Sequence, residues 1–170
     1  MAAECNAQRG VSMWIMTLSN GCRLVQTLRY VGAGYSNAFD WCVDCENGYI
    51  YTYGNTPQKT VLINRFRLPE AFAGDVTLTE RDVLWSAENH TIKIYQGSTV
   101  YRNMMFCPDG TYPIHRRMHI INLHTGEEEE CFDISHLLYE PEGVCVSDGY
   151  LYLVLNTCRG RLYRFKLINK

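Results

Sequence analysis

The chain has 170 residues, 46% hydrophobic and 20% charged, with a formal net charge of −2. That is about one domain's length, with enough apolar residue to bury a core, and only His115-Arg116-Arg117 is locally basic, so nucleic acid is not an expected partner. No apolar run approaches the ~20 residues of a membrane span. The first nine residues lack a charged segment followed by an apolar one, so no signal peptide is read and the chain as given reads as cytoplasmic.

Helical periodicity is nearly absent, and apolar residues alternate as in strands. In chain order the pattern predicts strands over 12–18, 23–30, 39–45, 49–53, 60–68, 83–85, 91–95, 98–101, 103–106, 118–123, 129–134, 143–147, 150–155 and 161–168. Asn20-Gly21, Asn47-Gly48, Asp109-Gly110, Thr125-Gly126 and Asp148-Gly149 fall between them and suit tight turns, because these pairs tolerate positive φ. The weakest stretch is 69–89, which reads as one short strand, a helical turn or loop.

The chain repeats itself. Met13–Gly21 returns as Met118–Gly126, and Val43–Tyr51 returns as Val144–Tyr152. A middle copy, Tyr95–Phe106, aligns with Pro141–Tyr152, and Met118–Leu123 aligns with Leu162–Leu167, so the unit is about 45 residues. Four strands in such a unit make one blade of a β-propeller. The expectation is therefore an all-β propeller of four-stranded antiparallel blades, about 3.5–4 of them here. Residues 1–170 form a single propeller domain or the C-terminal part of one. About four blades are needed to close a ring. Open outer sheets would expose strand edges and apolar faces, including Trp14, Tyr150 and Phe165, so self-association or pairing with a chain carrying further blades is expected.

Tyr30–Trp41, Tyr95-Gln96-Gly97 and Tyr139–Gly143 followed by Asp148–Tyr152 resemble segments of bacterial, Bacteroidetes-type β-propeller proteins of unknown function, similar to NHL- and SMP-30-like propellers. The resemblance covers most of 22–168. It implies a propeller fold, with members that are longer and often exported.

The candidate site is the set of starts of the innermost strands. In Glu140-Pro141-Glu142-Gly143, proline fixes the backbone and glycine permits close approach near an axis, which would turn Glu142 toward a channel. By the repeat, Gln96 and Trp41 occupy the same position, with Asp40 one residue earlier. Ligand-binding candidates are thus Asn37, Asp40, Gln96, Glu140 and Glu142. No metal or cofactor is expected. If one is held, Glu142 and Asp40 are its ligands and the ion is Ca²⁺ or another divalent cation. The alternative role for these groups is to bond backbone and hold neighbouring blades in register.

Other motifs read as structural. Cys42-Val43-Asp44-Cys45 resembles a CxxC pair, but residues i and i+3 of a strand face opposite sides, so no bridge or shared zinc is expected. The eight cysteines are irregularly spaced, and several, such as Cys145, read as small buried residues. His115 and His119 are assigned to a solvated loop, and Glu127–Glu130 to a solvated face guarding an edge. Asn89-His90-Thr91 is formally a glycosylation sequon.

With strong architecture and no convergent catalytic set, the first functional reading is a non-catalytic binding or scaffold module for a protein or carbohydrate. The second is a metal-dependent SMP-30-like hydrolase or lactonase using Glu142 with Asp40, Asn37 or Glu140 and a metal-bound water. The third is a fragment without independent function.

Overall fold

A computed structural model describes residues 2–6, 10–17, 23–36, 39–156 and 160–167. It is all-β, with no α-helix among the described residues. The strands are β1 (Ala2–Asn6), β2 (Gly10–Thr17), β3 (Arg23–Val31), β4 (Asp40–Asp44), β5 (Tyr49–Asn55), β6 (Val61–Arg67), β7 (Val76–Thr79), β8 (Trp85–Asn89), β9 (Thr99–Tyr101), β10 (Met104–Asp109), β11 (Arg117–Asn122), β12 (Glu128–Asp133), β13 (Glu140–Ser147), β14 (Tyr150–Asn156) and β15 (Arg161–Lys166).

The chain divides into two compact units, Met1–Ala87 and Glu88–Lys170. The first holds a four-stranded sheet ordered β1-β2-β3-β7 and most of a second ordered β4-β5-β6-β8. Here β7 joins β3 in parallel, with Leu28 opposite Val76. The core lies between the sheets: Leu28, Tyr30 and Leu78 from one meet Ile50 and Phe66 from the other, with Phe39 beside them. Aromatic rings fill it, Tyr30 and Phe66 at 5.1 Å and Tyr35 and Phe39 stacked at 4.7 Å between centroids.

The second unit holds a four-stranded sheet ordered β9-β10-β11-β12 and a three-stranded sheet β13-β14-β15. These also pack through apolar side chains: Phe106 and Met118 with Leu151, Leu153 and Leu155 of β14, and Ile134 and Leu137 from the turn after β12. In β14 the odd positions are buried while Val154 and Asn156 are exposed, the period of a half-buried strand.

The three segments related by the internal repeat all fold as antiparallel hairpins leading their sheets: β4-β5, β9-β10 and β13-β14. Asn47-Gly48 and Asp148-Gly149 make the turns, with φ of 68° at Gly48 and 50° and 75° at Asp148 and Gly149.

Three expectations are corrected. Residues 91–95 form no strand, because Lys93 and Ile94 donate their backbone N–H groups to the Asp109 side chain, at 3.2 and 2.5 Å. Only Tyr95 pairs by backbone, in a single antiparallel bridge to Asp109, and the side-chain acceptor takes the N–H groups before it. The strand predicted at 83–85 begins only at Trp85, after Leu84 N–H bonds to the Arg65 carbonyl at 2.8 Å. Within 69–89, read as at most one short strand, the chain forms two, β7 and β8, with a 3-10 turn over Glu80–Asp82 between them, capped by Thr79 and Asp82.

Candidate functional site

The strand starts of the second unit come together. Gln96 precedes β9 and is anchored by its own N–H to the Pro108 carbonyl at 2.9 Å. Its side-chain Nε2 donates to Glu140 Oε1 at 2.6 Å. Glu140 opens β13 and is half-buried, while Glu142, two residues on, is exposed beside an irregularity between Pro141 and Gly143. The backbones approach closely here. A Cβ on Gly97, whose φ is +64°, would lie 3.2 Å from Gly143 Cα and 3.4 Å from the Glu142 carbonyl oxygen. A Cβ on Gly143 would meet nothing within 4 Å. The steric demand assigned to Gly143 from sequence therefore falls on Gly97.

The remaining candidates lie elsewhere. Asn37 is outside the described residues. Asp40 opens β4 in the first unit, opposite Tyr53 across the ladder. Burial raises its carboxyl above the ordinary range, opposed by a hydrogen bond from Tyr53.

A second cluster in the same unit as Gln96 escaped the sequence reading. His119 sits in β11 with no solvent exposure, not in a solvated loop. Its Nδ1 lies 2.6 Å from Glu128 Oε2 and its Nε2 3.3 Å from Asp109 Oδ2. Two acceptors facing two ring nitrogens require a proton on each. Burial alone would lower the imidazole pKa, but the hydrogen bonds and charges of Asp109 and Glu128 outweigh it and hold the group above its ordinary value. Glu128 is affected in the complementary way. Burial works to raise its carboxyl, yet bonds from Thr91 and His119 hold it below the usual range.

The network continues outward. Thr91 Oγ1 lies 2.5 Å from Glu128 Oε2 and 2.9 Å from Asn89 Oδ1, and Asn89 Oδ1 also accepts the N–H of Thr91 and Ile92. Asn89 is buried in this turn, which is the structural use of the sequon. His119 and its partners thus fasten the 89–94 loop to β10, β11 and β12.

Cys131 lies opposite His119 on β12. His119, Glu128 and Cys131 each bring one ligand atom within 4.8 Å of the others. The donor set fits a cation poorly. A metal would have to displace the His119 proton shared with Glu128, and the Cys131 thiol is itself pushed up, first by loss of solvent and then by the Glu128 charge. The cluster is a charged clamp.

Glu129 and Glu130 are exposed on β12, the edge of its sheet, but Glu128 turns inward, correcting the uniformly solvated reading of that run. Arg116 is likewise buried, donating to the Ser135 carbonyl at 2.5 Å. Cys42 is buried and Cys45 exposed, both as unbridged thiols, while Cys145 is exposed, not buried as its strand suggested. A histidine inside Met118-His119-Ile120-Ile121 was the available signal: apolar neighbours on both sides mark a strand buried on both faces, where an imidazole must find partners.

No family model matches this chain, and no curated protein matches it. Solved structures do. The chain is similar to the computationally designed Ika4 protein, with a TM-score of 0.52 and 11% identity over 97% of this chain and 84% of that one. It is also similar to a chain of the Chaetomium thermophilum polycomb repressive complex 2, with a TM-score of 0.55 and 10% identity over 96% of this chain. This chain spans 42% of that chain's length. At such identities the likeness concerns the fold alone. No helix among the described residues is long and apolar enough to cross a membrane.

Proposed function

We propose that the chain is a β-propeller-type repeat protein that acts as a binding module, with its ligand surface at the starts of the leading strands. The observation that carries this reading is the junction of Gln96, Glu140 and Glu142. Two successive repeats bring their first strands into backbone contact and present amide and carboxylate groups there, one bonded pair and one exposed carboxylate. Three of the four sheets are led by the repeated hairpin, and the sheets of each unit pack through apolar faces, which supports the propeller arrangement. Polar groups converging beside close backbone suit recognition of hydroxyl or amide groups, as in a carbohydrate or peptide.

The test compares the wild-type protein with Glu140→Gln and Glu142→Gln on immobilised glycan and peptide arrays, alongside ester and lactone hydrolysis with and without Ca²⁺. The expected result is array binding that the substitutions weaken, with no turnover. Divalent-dependent turnover lost in Glu142→Gln would replace this reading with the hydrolase. Absence of both binding and turnover would refute the module reading.

A further inference from the structure

Among the described residues the last sheet ends at β15, whose outer edge carries no further strand. Among the described residues β15 pairs only with β14, whereas the preceding sheet continues to a fourth strand, β12. Leu167 donates its N–H to the Gly149 carbonyl at 2.9 Å. In an antiparallel ladder, hydrogen-bonded pairs alternate. The odd residues of β15 therefore bond to β14, and Leu162, Arg164 and Lys166 direct their N–H and C=O groups to the open side. All three side chains are exposed. Arg164 is held in place over the Tyr150 ring, 4.7 Å from its centroid. No carboxylate among the described residues forms an ion pair with Arg164 or Lys166.

The repeat indicates what fits there. β15 aligns in sequence with β11, and the strand that β11 carries on its outer side is the glutamate-rich β12, with Ile120 opposite Glu130 and Arg117 opposite Asp133. We propose that the open edge of β15 is a docking site for an acidic, extended segment of a partner protein, added as an antiparallel fourth strand. Main-chain hydrogen bonds would supply affinity, and Arg164 and Lys166 the selection for acidic side chains. A second copy of the same edge is a poor occupant, because it would set these basic groups against each other. The surface is separate from the Gln96–Glu140 junction, so either proposal can fail alone.

The probe is a fluorescein-labelled peptide of residues 127–134 carrying Cys131→Ser, measured by fluorescence anisotropy against the whole chain. Binding should be saturable and weaken with salt, and a peptide with lysine at its four glutamate positions should not bind. Arg164→Pro removes an outward N–H while leaving the β14 ladder intact, since proline is tolerated where the N–H faces away from the sheet. It should abolish binding. The pair Arg164→Glu and Lys166→Glu keeps the backbone donors and should weaken binding by at least about tenfold, with unchanged circular dichroism. Equal binding of both peptides, no saturable binding, or self-association of the chain removed by Arg164→Pro would each overturn the proposal.

Discussion

Replacing His119 with glutamine should be among the most damaging single changes in the second unit. The imidazole has no exposure, and its two acceptors, Asp109 and Glu128, keep only 9% and 22% of their side-chain surface. Glutamine cannot supply two charge-assisted donors 2.6 and 3.3 Å from opposed carboxylates. Removing one partner of a buried ionic cluster costs about 3–5 kcal/mol. Glu128 can turn partly to water, which places the loss near the lower end, about 3 kcal/mol. For a chain of this length that corresponds to a fall of roughly 6–12 °C in Tm. The control is Glu129→Gln, on the neighbouring strand β12, where an exposed carboxylate accepts a hydrogen bond from Asn122 Nδ2 at 2.5 Å. It should shift stability by less than about 0.5 kcal/mol. Thermal melts followed by circular dichroism, with urea midpoints as a second measure, make the comparison. Equal losses in the two variants would refute the clamp.

The same clamp gives a pH dependence. The folded pKa of His119 is raised, so its stabilisation is fully present below the unfolded value of about 6.5 and is lost as pH rises through the folded pKa. Urea midpoints should fall in the wild type as pH rises above about 6.5, and a rise there would contradict the assignment. Gly97→Ala should cost about 1–2 kcal/mol, because it places a Cβ at positive φ against Gly143, whereas Gly143→Ala should stay within about 0.5 kcal/mol. The opposite order in thermal melts would show that the close approach is misassigned. Maleimide labelling mapped by mass spectrometry should modify Cys45 quickly in the native protein and Cys42 only on unfolding; equal rates would argue against the β4 register.

Strand content was legible because alternation and Asn-Gly or Asp-Gly turns are local signals; the repeated hairpins around Val43–Tyr51 and Val144–Tyr152 carry both, while Ser98–Phe106 was placed by the repeat and turns at Arg102-Asn103, both at positive φ. β7 was not, since Val76–Thr79 is short and its partner β3 is distant in sequence. The candidate site was half legible. The repeat pointed to Gln96 and Glu142 as equivalent positions, yet Gln96 bonds Glu140, a choice set by the offset between neighbouring strands. His119 and Glu128 were misjudged for a related reason: a histidine beside Arg116-Arg117 and a run of four glutamates both look solvated until pairing shows which members turn inward.

The parallel addition of β7 to β3 interlaces the sheets of the first unit. The chain lays down β1 to β3, builds β4 to β6, returns to the earlier sheet as β7, and then supplies β8 to the later one. Neither sheet is complete until the other is nearly so, and the closing contacts span long loops. In the second unit each sheet is contiguous in sequence. Loop-closure entropy must be overcome before distant contacts contribute, so the second unit should order first during refolding. Pulse-labelled hydrogen exchange should find β11 amides protected before those of β7, and the reverse order would mean that interlacing does not govern the route.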